Sequence, residues 1–231
     1  MDISIVAATT LSEAEFWSIS ALGQSLDRFS MRGAPSIFIH YLNNKGLPEI
    51  YNQHLTESAP CGAIVFVHDD VWLDDFYLFD RIRDGLRNFD VIGVAGNRRR
   101  LPGQPTWWYK DLQGTWDDRH QLSGMIANGD YPFGDISFFG SCPAECELLD
   151  GVLLAVNTAK IVDRKVLFDP LFKFHFYDLD FSRQARQAGL KLGTWPIAIT
   201  HQSVGAVGSA SWHEGYQQYL LKWNEAIPPQ A

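Results

Sequence analysis

Two adjacent carboxylates, Asp69 and Asp70, stand one residue after the apolar run of residues 64–67, which is typical of a buried strand. Strands of an open α/β sheet present their ligand sites at their carboxyl ends. Carboxylates at such a position suit a hard divalent cation, which prefers oxygen ligands and often bridges to phosphate. The pattern predicts a cation and diphosphate site with Asp70 as metal ligand and Asp69 near a ribose or a metal-bound water. Capping of a loop or turn is the alternative, because aspartate is common there.

A second acidic pair, Asp178 and Asp180, lies at the start of a predicted helix over residues 177–188. Aspartates at this position also cap helices and interact favourably with the helix dipole, which is the alternative. The aromatic residues immediately upstream, 174–177, would exclude water and raise the pKa of a carboxylate. Such a carboxylate accepts a proton from an attacking hydroxyl. We therefore predict that Asp178 is a catalytic base and that Asp180 orients a neighbour.

Other residues could complete such a site. His201 follows the last predicted strand, where imidazole completes a mixed oxygen and nitrogen metal shell, contacts phosphate, or has a purely structural role. Asp150 and Gly151 form a turn signal at the point where regular structure resumes. Trp107, Trp108 and Trp116 would either stack on sugar rings or fill the core.

The composition narrows the class of protein. With 231 residues and 46% apolar content, the chain fits one large domain or a domain with an embedded subdomain. A net charge of −8 excludes a broad basic footprint for nucleic acid. The three cysteines form no zinc pattern, and no apolar segment is long enough to span a membrane. With no signal-peptide pattern, these features predict a cytoplasmic protein, and peripheral attachment at the inner face of the membrane stays open.

Hydrophobic periodicity predicts an alternation of strands and helices. Predicted strands lie near residues 3–8, 36–41, 64–68, 91–95, 148–156 and 190–200. Predicted helices lie near residues 12–29, 47–57, 74–86, 177–188 and 212–223. Residues 96–147 show no clear period, and long irregular insertions of this kind are usually functional. The sequence therefore predicts an α/β fold with a mainly parallel central sheet flanked by helices and an irregular insertion.

The order and spacing of these residues resemble the family 2-type glycosyltransferases with the nucleotide-diphospho-sugar transferase (GT-A) fold. The resemblance is strongest to a short bacterial glycosyltransferase-like branch that includes a streptomycin-biosynthesis homologue. The matching residues are Tyr51 and Asn52, residues 64–71, Asp150 and Gly151, residues 177–180, Arg183, Gly189 and His201. The resemblance implies a single GT-A-like domain over residues 1–231. Its donor-binding half would cover about 1–95, an acceptor-side insertion about 96–147, and a catalytic half about 148–231.

The resemblance also implies an activity. The implied activity is transfer of a sugar, with inversion of its anomeric configuration, to a hydroxyl of a saccharide or glycoconjugate. The implied donor is a nucleotide-diphosphate sugar of the UDP type, and Mn²⁺ or Mg²⁺ would assist the transfer. His68, Asp69 and Asp70 occupy the Asp-x-Asp position of the family, with His68 replacing the first acid. Asp178 aligns with the catalytic base of the family, and Tyr177 replaces the glutamate that usually precedes it. The implied setting is bacterial glycan or glycoconjugate synthesis.

These arguments give a set of expected contacts. The expected donor-binding residues are Ala7, Ala8, Thr9, Asn52, His68, Asp69 and Asp70. The expected acceptor-binding residues are Trp107, Trp108, Asp150, Gly151, Tyr177 and Asp180, and the expected metal ligands are Asp70 and His201.

Two other functions remain open at this point. Because His68 replaces an acid, the first alternative is a protein that binds nucleotide sugars or carbohydrate without catalysis. The second alternative is a metal-dependent hydrolase of nucleotide sugars. A nucleotidyltransferase is disfavoured, because residues 3–12 contain neither the glycine nor the basic residue of a phosphate-binding loop.

Overall fold

The computed structural model describes residues 1–28, 35–57, 62–203, 205 and 207–226. Within these ranges the strands are β1 (Asp2–Ala8), β2 (Ser36–His40), β3 (Gly62–Val67), β4 (Val71–Leu73), β5 (Val91–Gly93), β6 (Ala95–Asn97), β7 (Leu122–Asn128), β8 (Asp135–Gly140), β9 (Ala144–Glu145), β10 (Leu148–Leu149), β11 (Leu153–Asn157), β12 (Leu192–Thr194) and β13 (Ile199–His201). The helices are α1 (Glu13–Ile19), α2 (Ala21–Arg28), α3 (Leu47–Glu57), α4 (Leu78–Asn88), α5 (Thr158–Arg164), α6 (Tyr177–Gln187) and α7 (Ala210–Lys222). None of these described helices is long and apolar enough to cross a bilayer.

The first sheet has the strand order β2-β1-β3-β11-β5-β12-β9. β1 runs parallel to β2 and β3, and β12 runs parallel to β5. β11 is antiparallel to both β3 and β5, so β3 and β5 point the same way. The prediction of a mainly parallel sheet is confirmed, with β11 and β9 as its antiparallel strands. Helices α3, α4 and α5 pack against its strands.

The second sheet has the order β10-β6-β7-β13-β4, with β8 paired to β7. The prediction that residues 96–147 are irregular is wrong, since β7 and β8 of this sheet and β9 of the first sheet lie within that segment. A register shift between Gly124 and Met125 interrupts the β7–β8 pairing, and this bulge hides the alternation from the sequence pattern. Gly124 has φ +94°, and a Cβ atom there would lie 2.0 Å from the Val94 carbonyl oxygen. Residues 98–121 are irregular apart from one bridge between Tyr109 and Trp116.

Two predicted strands are each divided between the two sheets. The strand predicted over residues 148–156 is β10 in the second sheet and β11 in the first, joined by Asp150 and Gly151. The side chain of Asp150 accepts a 2.7 Å hydrogen bond from the Val152 amide and so stabilises the turn. The strand predicted over residues 190–200 is likewise β12 and β13, separated by a segment that contains Pro196. These crossings bring residues from both sheets to one place.

The first predicted helix is also divided. Ser20 ends α1 with an extended backbone, and its hydroxyl accepts a 2.9 Å hydrogen bond from the Gly23 amide in α2. The predicted end of this helix, Phe29, lies outside the described residues. Cys142 and Cys146 are free thiols, and Cys61 lies outside the described residues.

The start of α6 is held by an unusual backbone conformation. Phe176 precedes the helix with φ 65°, a left-handed conformation that is uncommon for an aromatic residue. The buried Phe176 ring packs against Trp212, Tyr216 and Tyr219 of α7. Strained conformations of this kind persist where the surrounding structure holds them in place. Here the packing against α7 fixes the direction in which the first residues of α6 project.

Candidate active site

A cavity of about 400 Å³ opens where the two sheets meet. Residues at the ends of β1 and β13, after β3 and at the start of α6 line it, together with residues of the irregular segment 98–121. The structure brings most of the predicted site residues together in its lining: Ala8, His68, Asp69, Asp70, Trp107, Trp108, Asp150, Gly151, Tyr177, Asp178 and His201.

Strand pairing places Asp70 beside His201. β4 runs antiparallel to β13 with Val71 opposite His201, and the Gln202 amide donates a 3.0 Å hydrogen bond to the Asp70 carbonyl. The Asp70 Oδ2 and His201 Nε2 atoms are therefore 3.2 Å apart. His68, at the end of β3, completes the group, in which one ligand atom from each of the three residues lies within 4.8 Å of the others.

The charges of this group stabilise one another. Burial acts to raise the pKa of Asp70, but the hydrogen bond and charge of His201, with the charge of His68, outweigh it and lower that pKa to about 2. Burial acts to lower the pKa of His201, yet the Asp70 carboxylate and the charge of Asp150 raise it. The pKa of His68 is lowered, chiefly because burial disfavours the imidazolium form.

The residues present fit a divalent cation. The Asp70 Oδ1 atom is buried and has no hydrogen-bond partner among the described residues, so a carboxylate lone pair is unused. A buried carboxylate oxygen without a partner is costly unless an ion or another donor satisfies it. One carboxylate and two imidazoles are a donor set that transition-metal ions accept. His68, Asp70 and His201 are therefore the residues that would hold the ion.

Asp178 faces the same cavity from the first turn of α6. Its Oδ2 atom accepts a 2.9 Å hydrogen bond from the Gly151 amide, and its Oδ1 atom accepts one of 2.9 Å from the Leu179 amide. Burial, and next the negative charge of Asp150, raise the pKa of Asp178 to about 7 despite these two donors. A carboxylate with that pKa can take up a proton and release it near neutral pH.

Asp150 connects this acid to the irregular segment. Its Oδ2 atom accepts a 2.6 Å hydrogen bond from the indole Nε1 of Trp107, whose side chain is otherwise buried. Trp107 also packs edge to face against Trp108 and Phe139. The segment is thereby fastened to the turn that also contacts Asp178.

The position of Gly151 leaves no room for a side chain. A Cβ atom there would lie 2.3 Å from the hydroxyl of Tyr177 and 2.9 Å from the Cβ atom of Asp178. We expect Gly151→Ala to displace Tyr177 and Asp178 and to lower the free energy of unfolding by about 1–3 kcal/mol, the usual cost of overpacking. Urea unfolding measures this loss. Gly93→Ala is the matched control, because its Cβ atom would have no neighbour closer than 3.4 Å. Equal stability of the two variants would contradict the tight packing of Gly151.

Phe174 and Phe139 of the cavity lining were not predicted as site residues, whereas Trp116 was predicted either to stack on a sugar ring or to fill the core. Phe174 stacks on the His68 ring at 5.7 Å, and Trp116 stacks on Phe139 at 6.3 Å. Phe174 and Trp116 are each 51% exposed and line the cavity. The aromatic stretch at residues 174–177 was the available signal for Phe174, whereas Phe139 lies on β8, which the sequence pattern did not reveal.

Four predicted contact residues lie outside the lining of the cavity: Ala7, Thr9, Asn52 and Asp180. The Asn52 amide holds the Phe168 backbone through two hydrogen bonds, and this contact accounts for its position. The fully buried Asp180 bonds to Lys222 and to the Trp223 indole, so it anchors α7 rather than an acceptor. Ala7 is buried within β1. The buried Thr9 caps the following loop by accepting a hydrogen bond from the Leu11 amide.

Comparisons with known proteins identify the fold. No protein-family model matches the chain, and no curated protein sequence matches it. It is similar to the crystal structure of GalNAc-T7 with UDP, GalNAc and Mn²⁺, with TM-score 0.53, 11% identity, and coverage of 96% of this chain and 48% of that one. It is also similar to the mannosyltransferase PcManGT from Pyrobaculum calidifontis in complex with GDP-Man and Mn²⁺, with TM-score 0.50, 12% identity, and coverage of 98% and 65%.

The chain thus spans about half and about two thirds of the lengths of these two structures. At this identity the likeness concerns the fold alone. Both neighbours are glycosyltransferases of the GT-A type, and the mixed sheets flanked by helices agree with that architecture. The chain described here has the GT-A fold.

Proposed function

We propose that this protein is an inverting glycosyltransferase that moves a sugar from a nucleoside-diphosphate donor to an acceptor hydroxyl. One observation carries the proposal. A carboxylic acid with a pKa of about 7, Asp178, faces the same cavity as a group of residues fit to hold a cation, His68, Asp70 and His201. A base and a diphosphate site on one cavity are the two parts that this reaction requires.

The donor would lie on the side of the cavity formed by Ala8, Asp69 and the cation-binding group. His68, Asp70 and His201 would hold a divalent cation, which would supply positive charge to stabilise the departing diphosphate. The fold neighbours support a nucleotide-sugar donor, since one was solved with UDP and Mn²⁺ and the other with GDP-Man and Mn²⁺. We propose a UDP-type donor with Mn²⁺ or Mg²⁺.

The chemical step can be written with its atoms balanced. Asp178 takes the proton of the acceptor hydroxyl, whose oxygen forms a bond to the anomeric carbon of the sugar. The bond from that carbon to the diphosphate oxygen breaks on the opposite face, and its electron pair leaves with the nucleoside diphosphate. The anomeric configuration is therefore inverted. The hydrogen bonds from Gly151 and Leu179 hold the Asp178 carboxylate in place during this step.

The acceptor would lie between Asp178 and the aromatic wall of the cavity. Trp108 and the exposed Trp116 offer faces on which a sugar ring can stack. Trp107 and Asp150 are hydrogen-bonded to each other, and we propose that this pair supports the aromatic wall.

The more specific assignments also belong to this proposal. They are the short bacterial branch of family 2-like enzymes, glycan or glycoconjugate synthesis, a cytoplasmic location, and the division of the domain near residues 95 and 147.

The raised pKa of Asp178 predicts the pH dependence of turnover. The base must be ionised, so activity is lost as the pH falls through about 7 and is fully present above it. We expect kcat to rise with pH, with a limiting slope of one on a logarithmic scale, and to level above that value. Initial rates at saturating substrates from pH 5 to 9 measure this profile. A flat profile across this interval would contradict the assigned base.

The function itself is tested with a panel of UDP-sugars and GDP-sugars, with Mn²⁺ and several saccharide acceptors. We expect release of nucleoside diphosphate to depend on an acceptor, and proton NMR to show a product of inverted anomeric configuration. Equal release with and without acceptor would indicate a hydrolase. Donor binding without release from any acceptor would indicate a binding protein. A retained configuration would contradict the inverting mechanism.

A further inference from the structure

The two positions at which this chain departs from the motifs it resembles contact each other. His68 stands in place of an acid and Tyr177 in place of a glutamate, and they lie more than a hundred residues apart. The His68 Nε2 atom and the Tyr177 hydroxyl oxygen are 2.8 Å apart. The two substitutions therefore do more than remove two carboxylates, because each introduces a hydrogen-bond partner for the other.

The hydrogen bonds of Tyr177 determine the tautomer of His68. The Tyr177 hydroxyl donates its only hydrogen to the Gly151 carbonyl, at 2.9 Å, since a carbonyl can only accept. We therefore assign the ring hydrogen of His68 to Nε2, which donates it to the Tyr177 oxygen. In a neutral imidazole the other nitrogen, Nδ1, then keeps its lone pair. Phe174 stacks on the same ring and limits its rotation.

A second set of observations identifies side chains that could hold a cation. His68, Asp70 and His201 each offer a ligand atom within 4.8 Å of the others, and the buried Asp70 Oδ1 atom has no partner among the described residues. Imidazole ligands favour first-row transition metals, whereas Mg²⁺ favours carboxylate, carbonyl and water oxygens. The replacement of an acid by His68 therefore changes the ion that the site prefers.

We propose that Tyr177 is a positioning residue that holds His68 in the metal-binding tautomer, so that His68, Asp70 and His201 form a site selective for a first-row transition-metal ion over Mg²⁺. In metal sites, a histidine that binds the ion through one ring nitrogen commonly donates a hydrogen bond from the other nitrogen to a neighbouring group. The inference deepens the proposed function, since it concerns the centre that would hold the donor diphosphate, and it names His68 as a third ligand.

The test measures Mn²⁺ binding directly, by loss of the free-ion EPR signal, with no sugar donor present. We expect Tyr177→Phe to weaken Mn²⁺ binding by roughly 10–100-fold, the usual effect of removing a hydrogen-bond partner of a metal-binding histidine. Tyr41→Phe is the matched control, because the Tyr41 hydroxyl bonds to the Trp17 indole outside this cavity. An unchanged Kd in a folded Tyr177→Phe variant would overturn the positioning role.

Selectivity is tested on the wild type and on His68→Asp, which restores an acid. We expect the wild type to keep its Mn²⁺ in a roughly 100-fold excess of Mg²⁺, and His68→Asp to lose most of it under the same conditions. Displacement by Mg²⁺ from the wild type, or identical competition in both proteins, would overturn the proposed selectivity. Because no sugar is present, a protein that binds Mn²⁺ as expected but transfers no sugar would count against the proposed function alone.

Discussion

Replacement of Asp178 by asparagine is expected to lower kcat by roughly 10²–10⁴-fold, the usual contribution of a general base. Asparagine keeps the size of the side chain but cannot take up the proton of the acceptor hydroxyl. The affinity for the donor should change little, since the residues fit to hold the cation, His68, Asp70 and His201, are separate from Asp178. Steady-state transfer rates give kcat, and equilibrium titration with the donor gives its Kd.

A matched control separates loss of the base from loss of a negative charge. Asp84→Asn makes the same chemical change on the exposed surface of α4, where Asp84 pairs with Arg87. That variant should keep the wild-type kcat. Full transfer activity in Asp178→Asn would remove Asp178 from the role of base, and a comparable loss of donor affinity would assign it to binding instead.

Replacement of Asp70 by alanine is expected to weaken cation binding severely. Asp70 contributes the carboxylate of the group and touches His201 at 3.2 Å, so its loss removes a direct ligand. We expect the Kd for Mn²⁺ to rise by roughly 100-fold or more, which exceeds the effect expected of Tyr177→Phe, because Asp70 would bind the ion directly. Isothermal titration calorimetry with Mn²⁺ measures the affinity. The residual rate of sugar transfer by this variant should no longer increase when Mn²⁺ is added.

The neighbouring acid provides the control. Asp69 lies in the same loop and lines the cavity, but it is not a member of the cation-binding group. Asp69→Ala should therefore bind Mn²⁺ with nearly wild-type affinity. If both variants bound Mn²⁺ equally well, the ion would be held elsewhere and the assignment of Asp70 would be wrong.

The parts of the fold that the sequence predicted are those with local signals. The run before His68 is apolar throughout because β3 is buried, and α3 has both of its predicted ends. Asp70 and Asp178 stood out because each lies where a regular element begins or ends, and such positions can be located from periodicity.

The parts that could not be predicted depend on distant partners. β7 and β8 stabilise each other across a bulge, so neither shows the strict alternation of a strand. Asp180 was expected beside an acceptor because it lies two residues from Asp178. Its actual partners, Lys222 and Trp223, are about forty residues away, and no spacing rule relates them. The hydrogen bond between His68 and Tyr177 was unforeseen for the same reason.

The cation-binding group lies where the chain passes between the two sheets. His68 and Asp70 follow a strand of the first sheet, and His201 ends a strand of the second. An ion held by all three would act as a cross-link between the sheets, one that unfolding has to break. Ligand linkage then adds about 2.7 kcal/mol of stability when the free ion is at about 100 times its Kd. A molecule with the ion bound would therefore resist unfolding more strongly than one without it.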